Sequence, residues 1–140
     1  MKFNLNFFET ELYQIPQRPL SLAANQKAYV FLAQEHTAEE LDFLAKVMQA
    51  VGLSLEKEVQ VVPCPPKQSF QLQEKPLAPC FFFGLSTAVL GLRLELPLYQ
   101  LVHYQGLQLL QGISLQQIAL QKQHKLALWR ALQDIFPSEK

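Results

Sequence analysis

Apolar residues recur along this chain in short runs, set apart by polar, proline-rich or glycine-marked stretches, in a rhythm that alternates between strand and helix. Lys27 to Gln34 centres on Tyr29-Val30-Phe31-Leu32, an apolar run with aromatic and β-branched residues that predicts a buried strand. Thr37 follows, with Glu40 three residues on. This is the spacing of a capping box, in which the threonine oxygen and the glutamate carboxylate satisfy free amides at a helix start. Leu41, Leu44, Ala45 and Met48 then form an apolar stripe at helical spacing, to about Val51, and Gly52 is a natural stop. Val59 to Cys64 predicts a second strand. Strand, helix and strand in succession make a βαβ unit, which implies a parallel sheet and a right-handed crossover.

Pro63, Pro65 and Pro66 end the second strand, and a polar loop over 65–78 is expected after them. Cys80 to Leu85 is apolar on both faces, as a central parallel strand should be. Ser86 can cap a short helix through Leu90, which Gly91 ends. Leu98 to His103 and Leu107 to Leu110 predict two further strands, joined by a turn at Tyr104-Gln105-Gly106. Ser114 and Gln117 repeat the capping-box spacing, and the chain from Leu115 to about Phe136 reads as helical, in one or two pieces. Leu128, Leu132 and Ile135 share one face of that helix. The simplest reading of Trp129 and Phe136 makes them core residues beside it, with Lys122, Lys125 and Arg130 opposite and His124 solvated. Pro137 ends the helix and 138–140 form a frayed tail. The expected fold class is therefore α/β, three layers α/β/α around a small, mainly parallel central sheet, as one domain over 27–137.

Residues 1–26 stand apart from this rhythm. Residues 3–7 alternate apolar and polar, which permits a strand, while Pro16 and Pro19 break regular structure. The segment reads either as a cover over the core or as a docking peptide that orders on a partner, with Phe7, Phe8, Leu12 and Tyr13 as the docking residues.

Composition narrows the function classes. Hydrophobic residues make up 49% of the 140 residues, enough for a true core. Lys+Arg and Asp+Glu both number 12, so the basic excess that autonomous nucleic-acid binding draws on is missing. No apolar run reaches the ~18–20 residues needed to span a bilayer, and the N-terminus is too polar for a signal peptide, so the expected location is cytoplasmic. Cys64 and Cys80 form no Cys-x-x-Cys pair and read as reduced structural thiols.

Catalytic signatures are scarce. His36, His103 and His124 stand at no zinc-ligand spacing, and no phosphate-cradling glycine loop or nucleophile elbow occurs, so neither metal nor cofactor is expected. In an open parallel sheet, ligands bind beyond the carboxyl ends of the strands. The first such end holds Gln34, Glu35 and His36, which makes Glu35 and His36 the best acid/base candidates, with His103 as a further imidazole. The plainer reading of Glu35-His36 is a polar turn before a capped helix.

The element order and the C-terminal third resemble the uracil-DNA glycosylases. Leu109-Leu110-Gln111-Gly112-Ile113-Ser114-Leu115 stands where that family has a strand leading into His-Pro-Ser. Lys125-Leu126-Ala127-Leu128-Trp129-Arg130-Ala131-Leu132 matches its Lys-x-x-x-Trp-x-x-Leu helix. The serine and the Lys/Trp/Leu spacing agree. Gly112-Ile113 replaces the His-Pro, and Ala33-Gln34-Glu35-His36 lacks the glycine and proline of the family's catalytic loop. The resemblance implies that the family's histidine, which stabilises charge on the expelled uracil, is gone, and that only Glu35 could stand for its acid. Some branches carry an iron–sulfur cluster on four cysteines, which two cannot supply.

A non-catalytic group of similar fold and length, the psi accessory subunits of the bacterial replicative polymerase, is also similar. Ala127-Leu128-Trp129 and Ile135-Phe136-Pro137 are the counterparts of its terminal helix. That resemblance implies an adaptor with protein partners, a clamp loader docked by the N-terminal segment and a chi-like subunit on the domain, and nucleic acid engaged only indirectly. Two other readings compete with it: a divergent glycosylase-like enzyme using Glu35, and an unrelated α/β protein binding a small molecule near Glu35 and Ser86.

Overall fold

The computed structural model describes residues 17–65, 69–73, 76–92 and 94–136. Its elements are β1 (Gln17–Leu20), β2 (Ala28–Ala33), α1 (Ala38–Ala50), β3 (Val59–Cys64), β4 (Ser69–Leu72), β5 (Cys80–Phe83), a 3-10 turn (Thr87–Leu90), β6 (Val102–Tyr104), β7 (Leu107–Gly112), α2 (Leu115–Leu120) and α3 (Lys122–Ile135). Five strands form one sheet in the order β3-β2-β5-β7-β6, parallel except for the edge strand β6. The described residues thus form a mixed α/β structure with a mostly parallel five-stranded sheet and three α-helices.

Side-chain alternation explains why the central strands are apolar throughout. Val30 and Leu32 of β2, Phe81 and Phe83 of β5 and Leu110 of β7 face one side. There they pack with Leu44 and Met48 of α1, Leu115 and Ile118 of α2, and Leu128 and Leu132 of α3. Tyr29, Phe31, Cys80, Phe82 and Leu109 face the other side. The rings of Phe31 and Phe82 stack there at 4.9 Å. Each burial of a side chain of this size contributes about 1.5–3 kcal/mol.

The second face corrects the expected layering. Among the described residues, all three α-helices cover the first face, and no α-helix covers the second. That side is closed by a two-stranded parallel ribbon of β1 and β4, by the 3-10 turn, and by Leu92, Leu94 and Leu96. Among the described residues the layers are therefore α, sheet, and ribbon with coil. The physical reason lies in the connections. The stretches from Pro63 to Pro79 and from Gly84 to Pro97 carry too many prolines and glycines for a helix, yet enough leucines and phenylalanines to seal the sheet.

Three local expectations change with it. Part of the loop over 65–78 is strand β4, whose Phe70 is buried. Pro19 does not break the N-terminal segment but sits exposed within β1, at a ribbon edge where a missing amide does no harm. The strand expected over Leu98–His103 shrinks to Val102–Tyr104. Leu98 makes only an isolated bridge to Gln111, and Tyr99 turns the chain with a φ of 60°.

Other signals are realised as written. Thr37 and Glu40 form the reciprocal capping box, at 3.1 and 2.8 Å. Gln105 and Gly106 both take positive φ, as a tight two-residue hairpin loop demands. The long C-terminal helix divides at Gln121 into α2 and α3. Residues 17–26 lie on the domain. Leu20 and Leu22 pack into the second cluster, the Ala23 amide donates to Gln60, and the Tyr29 hydroxyl donates to the Ala23 carbonyl. Phe7, Phe8, Leu12 and Tyr13, the strand allowed over 3–7 and the tail at 138–140 lie outside the described residues. Among the described residues no helix is long and apolar enough to cross a membrane.

Candidate functional site

The topology singles out one crevice. After β2 the chain moves to β3 over the helical face. After β3 it moves back past β2 to β5 over the opposite face, and from β5 it travels on towards β7 over that same face. Reversing direction and face together keeps every crossover of one hand. The strand order switches between β2 and β5, and the loops leaving their carboxyl ends diverge there, which is where open α/β sheets hold ligands. The loops concerned are Gln34-Glu35-His36 and Gly84-Leu85-Ser86, flanked by Gly112-Ile113-Ser114 after β7.

His36 is turned back on its own strand. Its amide donates to the Ala33 carbonyl at 3.2 Å, and its Nδ1 lies 2.8 Å from the same oxygen. A carbonyl only accepts, so Nδ1 carries the proton and the ring is fixed as a turn brace. Glu35 beside it is exposed. Ser86 Oγ accepts from the Ala88 amide at 3.2 Å and caps the 3-10 turn, and Ser114 Oγ accepts from the Gln117 amide at 3.3 Å and caps α2. Both hydroxyls at the crevice therefore serve helix starts.

Gln111 governs the next layer. Its Nε2 donates towards the carbonyls of Phe82, Leu85 and Gly112, tying the loop after β5 to the end of β7. The Gly84 amide reinforces this by donating to the Gly112 carbonyl at 3.2 Å. Sequence reading assigned Gln111 no role. A lone amide side chain at the end of an apolar strand was the available signal.

Gly112 is buried and has no room for a side chain. A Cβ there would lie 2.9 and 3.0 Å from the Phe83 ring and 3.3 Å from the Tyr99 ring. The space beside Gly112 is thus filled by the rings of Phe83 and Tyr99. His103 is not part of this seam. It is exposed on the edge strand β6, three strand spacings from β2, or roughly 14 Å across the sheet. Glu35 and His36 are adjacent, and His103 is not brought to them.

His124, expected in solvent, is instead half-buried. Its Nδ1 lies 2.8 Å from the Tyr99 hydroxyl, and the two rings meet edge to face at 5.6 Å. Burial pushes the Tyr99 phenol up, partly offset by a hydrogen bond with the Ile113 backbone. Trp129, read as core, is only partly buried. With Phe43, Val47 and Leu128 it lines a small apolar groove between α1 and α3. A wider hollow of about 780 Å³ opens beside the loop from α1 to β3, lined in part by Asp42, Glu56 and Glu58, away from the crevice at the carboxyl ends. Among the described residues no group of three or more histidine, cysteine, aspartate or glutamate side chains could hold a metal ion.

No protein-family model, curated protein or solved structure matches this chain.

Proposed function

We propose that this chain is a non-catalytic adaptor with a uracil-DNA glycosylase-like fold, a psi-like accessory subunit of the bacterial replicative polymerase. The observation that carries the reading is Gly112, whose missing side chain is filled by the Phe83 ring at 2.9 Å. A histidine at that point of the strand would have to displace a packed aromatic ring, so the electrophile that base excision needs has no space. Three polar side chains of the crevice do structural work: His36 braces a turn, and Ser86 and Ser114 cap helices. A balanced charge of 12 against 12 fits a chain held to its complex by protein contacts.

The test is an affinity pull-down from native-host lysate with nuclease added, using the full chain and a form lacking residues 1–16, alongside a uracil-release assay on single-stranded oligonucleotide. Clamp-loader components should co-purify with the full chain and be lost with the deletion, and no uracil should be released. Uracil release that Glu35→Gln abolishes would replace this reading with a divergent glycosylase. Absence of polymerase components, with the bait folded, would remove the psi assignment.

A further inference from the structure

The groove between α1 and α3 differs from the rest of the helical layer. α2 touches both helices, but α1 and α3 part above it. The gap is lined by Phe43 and Val47 from α1 and by Leu128 and the half-buried Trp129 from α3, with exposed Lys46 and Lys125 on either side. Leu126, 45% exposed, stands one turn before Trp129 and continues the apolar surface outward. Among the described residues no acidic side chain lines the groove. On a chain whose formal charge is zero, this is a local concentration of positive charge around an apolar slot.

We propose that this groove is a docking site for an acidic peptide segment of a protein partner, one that sets a single bulky apolar side chain between carboxylates. Size decides against a small metabolite. The groove encloses about 220 Å³, below the ~300–1,000 Å³ of small-molecule pockets, and suits one anchoring side chain. Charge decides the flanks. Lys46 and Lys125 come from different helices and bracket the slot, so carboxylates on both sides of the anchor meet complementary charge. Chemistry decides against single-stranded nucleic acid. Two lysines supply little phosphate neutralisation, and the lining beside Trp129 is largely aliphatic rather than a row of stacking rings. Tryptophan is also among the residues enriched at protein-binding hot spots. The inference deepens the adaptor reading and rests on it, supplying the chemistry of one partner segment.

Trp129 is the only tryptophan of the chain, so its emission reports on this groove alone. A random phage-displayed peptide pool is panned on the full chain after subtraction on the Lys46→Glu/Lys125→Glu variant, whose melting temperature confirms that it is folded. Selected peptides are expected to hold one aromatic or large aliphatic residue among aspartates and glutamates. Their synthetic forms should shift Trp129 emission saturably, bind about tenfold more weakly to either single charge reversal, and weaken as salt rises. Failure to enrich any peptide, enrichment of basic or uncharged ones, or an equal saturable shift with oligothymidylate would overturn the proposal. The adaptor reading is separable. If the pull-down recovers polymerase components with the double variant as well as with the full chain, the adaptor stands and this groove is not its docking site.

Discussion

Two residues carry titration energy that the fold must hold. Cys64 and Cys80 lie under the ribbon at 2% and 0% exposure, both as free thiols. Burial pushes Cys64 up to about 11 and Cys80 up to about 12, from 9.0. A buried thiolate has lost water without gaining a counter-ion, so the neutral form is held. Below pH 9 both the folded and the unfolded chain keep these protons, and the stabilisation is complete. Above it the unfolded chain releases them first, so stability falls as pH rises and the contribution is spent on passing the folded values of about 11 and about 12. The expected slope is about 1.4 kcal/mol per pH unit for each cysteine. Burial raises the phenols of Tyr29 and Tyr99 too, and they add the same sign from higher pH. Urea melts from pH 8 to pH 11 measure the slope, and Cys64→Ala with Cys80→Ala should flatten it. An unchanged slope would mean that the thiols ionise freely in the folded chain. Sequence placed Cys80 in the core correctly, because a cysteine beside three phenylalanines has no polar partner to explain it. It misplaced His124, whose helical position reads as solvent-facing until Tyr99, twenty-five residues earlier, is folded against it.

Among the elements, the seam between β5 and β7 decides the shape of the crevice and leaves no room for a side chain at Gly112. Phe81 and Phe83 stack in near-parallel planes at 6.2 Å, which leaves Phe83 little freedom to retreat from Gly112. Gly112→Ala is therefore expected to cost about 1–3 kcal/mol in urea denaturation, the range for overpacking a closed core. A neutral effect would show that the Phe83 ring yields, and would reopen the position to a functional side chain. The elements that sequence made legible are those with local causes: the Thr37–Glu40 box, the apolar runs of β2 and β5, the Gln105-Gly106 turn and the serine caps. Those it hid depend on distant pairing. β1 and β4 are four residues each, joined only to one another, and β1 contains a proline that local rules count against a strand. The third layer was misread for the same reason. Nothing local distinguishes a leucine-bearing loop that seals a sheet from a helix that does so. That Glu35 and His36 follow the carboxyl end of a parallel strand was legible from the βαβ pattern. The clamp of Gln111 and the groove at Trp129 were not, since each depends on where two non-adjacent segments meet, and the bracing of His36 on Ala33 depends on a local turn geometry that residue types leave open.

For the whole molecule, charge is the property with the most direct consequence. Non-specific nucleic-acid affinity comes from lysines and arginines displacing counter-ions along the phosphates, and it shows as a steep fall in binding with salt. Here 12 cationic side chains are balanced by 12 carboxylates. Of the cations, Lys122, Lys125 and Arg130 lie exposed on α3, and Lys46 of α1 lines the same groove as Lys125, so the helical layer offers only a few scattered positive charges. An array of that size releases few counter-ions. The isolated chain should therefore bind labelled oligothymidylate more weakly than about 0.1 mM at physiological salt, with a shallow slope of log affinity against log salt, read by fluorescence anisotropy. A proteinaceous complex that reaches DNA through other subunits imposes no stronger demand on this one. Micromolar affinity with a slope corresponding to six or more phosphates would require a basic surface beyond the α1–α3 face, and would make direct DNA contact, rather than protein contact, the organising function of the chain.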